Sequence, residues 1–246
     1  MCFSVEIEQD LKRLSTIFNA LIDEEGFEQA QRNIEKWPQF FFDNREQPSR
    51  IYPNGYAPVV IKKKNQLVIT PMRYRVRPLQ ARHEVPPKYN LFNARRDSLF
   101  TRKTWSELLG QPHAVFPFTH FYEWVEDPYK KKKLVKFSPQ DQSLLWAPAL
   151  TSQYIDPSQN LVINSFALIT DDPPEEVLQA GHDRCPINLE ADAAFEWLES
   201  AMINKEKMDS IFGQKKQVRY VCAEAAEPAK KRKKTDQLDL FDLEEF

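Results

Sequence analysis

Cysteine is scarce in this 246-residue chain: three residues, at positions 2, 185 and 222. They form neither an even framework nor a CxxC pair, so neither a structural disulfide nor a metal site is expected. Long apolar runs are missing, and nothing could span a bilayer. The N-terminus also lacks a basic segment followed by an apolar one; Ser4-Val5-Glu6-Ile7-Glu8 places acids there instead. A cytoplasmic protein without membrane contact is therefore expected. An excess of charge is absent too. The net charge is −2, so any attraction to a polyanion must come from a local basic surface. Glycine is rare, with 5 residues against 18 prolines, and no internal repeat is visible.

What the chain does contain is a series of short apolar segments. Ile7, Leu11, Leu14, Phe18 and Leu21 recur at three- and four-residue spacings and predict an amphipathic helix, broken at Gly26. Phe27 to Trp37 predicts a second helix, ending before Pro38. Pro58 to Ile61 and Leu67 to Ile69 bracket the polar turn Lys62 to Gln66, a hairpin pattern. Further strands are predicted at 113–118, 120–125, 144–150, 161–170 and 218–222, with short helices at 104–109, 174–180 and 190–200. Many strands without regular helical alternation point to an α+β fold with a mostly antiparallel sheet or partly closed barrel. Composition shifts after Cys222. Ala223 to Ala229 is small and acidic, Lys230 to Lys234 is basic, and the remainder mixes acids with Leu238, Leu240, Phe241 and Leu243. The expected organisation is a folded domain over 1–222 and a disordered tail over 223–246.

Cys2 is the first residue with chemistry of its own. Removal of Met1 ahead of a small residue would create a 1,2-aminothiol. An α-amine has a reference pKa of about 7.7–8.0 against about 10.4 for lysine, so much more of it is the neutral nucleophile at pH 7. The thiol, near about 8.5, is a second nucleophile two carbons away. With an aldehyde, the amine forms an imine and the thiolate closes a five-membered thiazolidine. Three later segments set polar residues in apolar, strand-like surroundings: Asn93-Ala94-Arg95, Phe121-Tyr122-Glu123-Trp124 and His182-Asp183-Arg184-Cys185-Pro186. Glu123 among aromatics, if partly buried, would become a useful proton donor, and His182 could titrate near neutrality.

Taken in order, Met1-Cys2, Asn-Ala-Arg, Phe-Tyr-Glu-Trp and His-Asp-Arg-x-Pro resemble the SOS-response-associated peptidase (SRAP) family, over Met1 to about Leu198. The resemblance implies an enzyme that crosslinks covalently to abasic sites in single-stranded DNA, shielding the lesion through a thiazolidine on the N-terminal cysteine. By position, Cys2 would be the nucleophile, Asn93 would orient its amine or thiol, Glu123 would shuttle protons and His182 would assist. Arg95 and Arg184 would grip flanking phosphates. No cofactor and no metal is implied, and a monomer is expected.

The chain also departs from the family. Phe3-Ser4 stand where Gly-Arg is usual, and Tyr74-Arg75 where Trp-Gly is common. Tyr74 could stack on a base, and Arg73, Arg75 and Arg77 would line one face of a strand as a DNA-tracking groove. Cys185 replaces a usual methionine and is expected to pack beside His182. In the tail, Gln237-Leu238-Asp239-Leu240-Phe241 matches the pentapeptide by which many bacterial replication and repair proteins bind the sliding clamp. Two other functions fit part of the pattern: an N-terminal-cysteine hydrolase or peptidase, and a non-enzymatic adaptor for single-stranded DNA and the clamp.

Overall fold

A computed structural model of the chain describes residues 3–43, 45–81, 83–126, 129–200 and 203–226. The fold is α+β. Strand β1 (Ser4–Glu6) is followed by helix α1 (Leu11–Phe18), strand β2 (Leu21–Ile22) and helix α2 (Glu24–Lys36). Strands β3 (Arg50–Ile51), β4 (Tyr56–Lys63), β5 (Gln66–Tyr74) and β6 (Asn93–Arg95) come next, then helix α3 (Lys103–Ser106). A run of long strands follows: β7 (Ala114–Phe118), β8 (His120–Glu126), β9 (Lys132–Pro139), β10 (Leu145–Asp156) and β11 (Leu161–Asp171). The chain continues through α4 (Glu175–Gln179), β12 (Cys185–Pro186), α5 (Ala191–Glu199), α6 (Lys205–Gly213) and β13 (Tyr220–Glu224).

The larger sheet runs β12-β11-β10-β7-β4-β5-β2, and β5 also pairs in parallel with β11 at Ser165↔Arg73 and Phe166↔Tyr74. That short pairing returns β4, β5, β11, β10 and β7 on themselves as a partly closed five-stranded barrel. Both faces of these strands are buried, which explains their near-continuous apolar runs. Val60, Ile69, Val115 and Leu150 pack with Leu14, Phe18, Trp197 and Phe212 from the helices. Val59, Met72, Phe116 and Phe166 pack instead with Val5, Phe121 and Phe137 of the second sheet, ordered β13-β9-β8-β1-β3. Thr119 joins the two sheets: its N–H donates to the Glu6 carbonyl at 2.7 Å, so β7 ends in the barrel and β8 begins beside β1.

Several element boundaries differ from those the sequence predicts. Helix α1 starts only at Leu11, where Asp10 accepts the N–H groups of Lys12 and Arg13. Residues 4–6 pair as a strand, and Leu21 belongs to β2. Gly26 does not break a helix but lies in the first turn of α2, where its N–H donates to the capping Asp23 carboxylate at 3.1 Å. A Cβ there would stand 2.6 Å from that carboxylate, so a larger residue would have to push the capping side chain aside. The expected domain boundary at Cys222 falls inside β13: Ala223 and Glu224 pair with Lys136 and Val135, and the Ala225 N–H bonds Leu134. The basic run and the pentapeptide Gln237–Phe241 lie outside the described residues. Among the described residues, no helix is long and apolar enough to cross a membrane.

Candidate active site

The register of β1 on β8 brings the start of the chain to the motif on β8. Ser4 pairs with Tyr122, and the Phe3 N–H donates to the Tyr122 carbonyl at 2.9 Å. Alternation along β8 then sends Phe121, Glu123 and Val125 to one face. Phe121 stacks on Phe137 at 4.6 Å, and this packed sheet holds the Glu123 carboxyl at 7% exposure. Burial pushes its pKa up to about 7, although the Trp124 N–H donates to the carboxylate at 3.3 Å and pulls the other way. Glu123 is thus a buried acid poised near neutrality, on the strand that pairs with the residues just after Cys2. Cys2 itself lies outside the described residues.

His182 arrives from the other side. After α4 the chain turns through Gly181 at φ 99°, a conformation that glycine adopts without strain, with its Cα packed toward Val125 and the Glu126 carbonyl. The turn delivers His182 at 7% exposure with Nε2 3.4 Å from Glu123 Oε2. His182 Nδ1 lies 2.7 Å from the Arg184 carbonyl. That contact assigns the proton to Nδ1 and leaves Nε2 as an acceptor facing the carboxyl. Burial lowers the His182 pKa while raising that of Glu123, so both groups are driven toward their neutral forms. A neutral acid next to a neutral imidazole can pass one proton back and forth without creating a buried unpaired charge.

Asn93 sits at the start of β6, which pairs in parallel with Leu168 to Thr170 of β11. It is 5% exposed, and its Oδ1 accepts the Tyr74 hydroxyl at 2.8 Å. Tyr74 is therefore not a surface platform for a base. It is fully buried, stacked on Phe166 at 5.2 Å with its edge toward Phe92, and its hydroxyl positions Asn93. The expected arginine groove is likewise not on the surface. Arg73, Arg75 and Arg77 are 0%, 3% and 3% exposed. Arg73 and Arg75 share Glu84, at 3.1 and 3.3 Å, and Arg77 stacks 3.4 Å over Tyr154 while bonding the Ala81 carbonyl. The physical reason is that β5 ends at Tyr74, so strand alternation does not carry through these three residues.

Arg95 and Arg184 do meet at the rim. Arg95 bonds Asp97, whose other neighbour at 4.0 Å is Arg184; Arg184 also pairs with Asp172. Arg95 is exposed and Arg184 half-buried. Each guanidinium has a surface carboxylate as counter-ion, which a phosphate would have to replace. Cys185 is buried against Tyr220, and burial raises its thiol pKa to about 12, which suits packing rather than reactivity. Among the described residues, no group of three or more His, Cys, Asp or Glu side chains is placed to hold a metal ion.

The model of the SOS response associated peptidase (SRAP) family matches residues 1–227. This chain belongs to that family. It is similar to abasic site processing protein YobE of Bacillus subtilis, at 24% identity over 123 residues, or 50% of this chain and 55% of YobE. It is also similar to abasic site processing protein YoaM of the same organism, at 24% identity over 70% of this chain and 75% of that one. The match thus spans little more than half the length of YobE. Among solved structures, a protein from Bacteroides thetaiotaomicron has the same fold, with a TM-score of 0.67 at 13% identity over 92% of both chains. One from Bordetella bronchiseptica gives 0.65 at 16% identity, covering 92% of this chain and 100% of the other.

Against the SRAP pattern, the two departures have visible structural consequences. Arg75 stands where glycine is common and adopts φ 152°, on the positive side that a side chain disfavours. It is held there by its N–H bonds to the Arg73 and Phe166 carbonyls and by its guanidinium on Glu84 and Val85. At the other departure, Ser4 is buried and accepts a hydrogen bond from Arg50 Nε at 3.0 Å. Arg50 and its neighbour Tyr52 belong to no motif, and sequence reasoning passed over both. Only the pairing of β1 with β3 brings them to the start of the chain.

Proposed function

We propose that this SRAP protein processes abasic sites in single-stranded DNA by covalent capture on Cys2, protecting the exposed lesion. Once Met1 is removed, the Cys2 amine attacks the C1′ aldehyde of the ring-opened sugar and gives a carbinolamine. Loss of one water yields the imine. The Cys2 thiolate adds to the imine carbon, the thiol proton ends on the ring nitrogen, and a thiazolidine results. Glu123 donates the proton that lets hydroxide leave as water and takes it back on reversal. His182 Nε2 relays that proton, and Asn93, positioned by Tyr74, orients the amine or thiol. Arg95 and Arg184 hold flanking phosphates after exchanging Asp97 and Asp172 for them.

The observation that carries this reading is the Glu123 carboxyl: buried, poised at about 7, 3.4 Å from His182 Nε2, and on the strand whose Tyr122 pairs with Phe3 and Ser4, next in sequence to Cys2. The names of YobE and YoaM support the same substrate. The sequence Gln237 to Phe241 adds a proposed partner, a bacterial sliding clamp, which would hold the protein where polymerases stall. The chemistry is tested by timing the heat-resistant adduct with an oligonucleotide carrying one abasic site. Glu123→Gln is expected to slow its formation by roughly 10²–10⁴-fold, and His182→Ala by less. Equal rates for Glu123→Gln and the parent would remove Glu123 from the mechanism.

A further inference from the structure

Arg50 begins β3 and pairs by backbone with Glu6, so its side chain lies across β1. Nε is fixed on Ser4 Oγ, and the guanidinium carbon sits 3.7 Å from the Tyr122 ring centroid and 5.2 Å from that of Tyr52. Among the described residues, two polar atoms in this small assembly are buried without a hydrogen-bond partner: Arg50 Nη2 and the Tyr52 hydroxyl. Tyr52 as a whole is 9% exposed, while Arg50 is half-buried. Orphaned donors of this kind are costly to bury, and more so on a charged group, unless something accepts from them.

Charge balance identifies that acceptor as an anion. Arg73, Arg75, Arg95, Arg96 and Arg184 each have a carboxylate within 4.0 Å; among the described residues none lies within that distance of Arg50 or Arg77, and of these two only Arg50 has a buried nitrogen left over. The acid on this part of the sheet, Glu6, is already engaged, accepting the Tyr122 hydroxyl at 2.5 Å and pairing with Lys136 at 3.2 Å. A planar, permanently charged fork with a hydroxyl beside it matches a phosphate oxyanion. The surroundings favour a phosphate carried on a nucleic acid strand. Tyr52 meets Phe3 at 5.7 Å and Phe42 at 5.2 Å, Phe3 meets Trp124 at 6.0 Å, and Phe42 is 39% exposed. Aromatic rings next to a guanidinium are the combination that binds bases and backbone of a single strand together.

We propose that Arg50 and Tyr52 form a phosphodiester-binding point beside Phe3 and Ser4, gripping the backbone of the DNA strand next to the captured lesion. This rests on the single-stranded-DNA reading above. In effect, Arg50 supplies from a distant part of the chain the guanidinium that Ser4, at a position usually arginine in the family, does not carry.

The test uses full-length protein with Cys2→Ala, so that binding is non-covalent, and a single-stranded oligonucleotide bearing one stable abasic analogue. Arg50→Gln is expected to weaken binding roughly tenfold or more and to make the log–log salt slope shallower by about 0.7. Arg50→Lys keeps the charge and is expected to keep the parental slope. Tyr52→Phe is expected to weaken binding about two- to tenfold with the slope unchanged, since it removes only a neutral donor. Replacing each phosphodiester near the lesion by an uncharged methylphosphonate locates the contact. One such linkage is expected to weaken the parent but cause no further loss in Arg50→Gln. Equal losses in parent and variant at every linkage, or a parental salt slope in Arg50→Gln, would overturn the proposal. If Arg50→Gln does not fold, Tyr52→Phe carries the same linkage scan, and additive losses throughout would overturn it. A heat-stable adduct by the Cys2 parent with no linkage coupling would sink this site and leave the crosslinking reading standing. Coupling without any adduct would do the reverse.

Discussion

Glu123 and His182 couple stability to pH with opposite signs, because burial moves each toward neutrality. For Glu123 the folded pKa of about 7 lies above the ordinary 4.5, so between those values the native state binds a proton that the unfolded chain lacks. Its contribution to stability is full below about 4.5 and is lost as pH rises through about 7. His182, lowered from 6.5, contributes stability above that value and loses it as pH falls. Glu123→Gln removes the first loss. By urea unfolding it is expected to gain up to about 3 kcal/mol over the parent at pH 8, with the gain fading toward pH 4.5. A difference that stays constant across that range would mean the carboxyl is not held near 7. Glu123, His182 and Asn93, the candidate site residues that are buried, stood out in the sequence because each is a polar residue inside an apolar segment. Tyr74, Arg73, Arg75 and Arg77 were misread because type and spacing do not disclose burial. A tyrosine or arginine that packs inside looks the same in sequence as one that faces DNA.

At the scale of elements, legibility followed apolar patterning. The β4–β5 hairpin, β10 and β11 have long apolar runs because both faces are covered, and their starts were predicted within two residues, although β5 runs on to Tyr74 and β10 to Asp156. Strands β1 and β9 were missed because acids in Ser4–Glu6 and lysines in Lys132–Pro139 mask them. Both belong to the second sheet, where one face carries charged pairs such as Glu6 with Lys136. Helix α6 was missed too, since its apolar residues Met208, Ile211 and Phe212 span barely one turn. The last strand makes a checkable difference. Truncation after Cys222 removes the pairings of Ala223 and Glu224 and the Ala225 bond to Leu134. It is expected to lower unfolding free energy by roughly 1–3 kcal/mol, from the lost edge hydrogen bonds at about 0.5–1.5 kcal/mol each, less what water restores. Unchanged stability in urea would place the end of the folded domain at Cys222 after all.

Across the whole molecule, the barrel and second sheet bring together residues far apart in the chain: Phe3 beside Glu123, Glu123 beside His182, Tyr74 beside Asn93, and Arg50 beside Ser4. The first two join motifs that the sequence displays, whereas the third emerges only once Tyr74 is seen to be buried. The fourth depends on antiparallel pairing between residues more than forty positions apart, which local pattern does not encode. At the opposite end, the Gln237 to Phe241 peptide is expected to bind a bacterial sliding clamp at roughly micromolar affinity, because ordering a short segment offsets much of its contact energy. Leu240→Ala with Phe241→Ala is expected to abolish that heat in a calorimetric titration and leave crosslinking to free oligonucleotides unchanged. Crosslinking itself is measured most directly by intact mass. Protein lacking Met1, mixed with an oligonucleotide containing one abasic site, is expected to give a species equal to the two masses minus one water. Peptide mapping should place the adduct on Cys2, and Cys2→Ala should yield none. An adduct of the same abundance with Cys2→Ala, or no mass shift with the parent, would contradict covalent capture by the N-terminal cysteine.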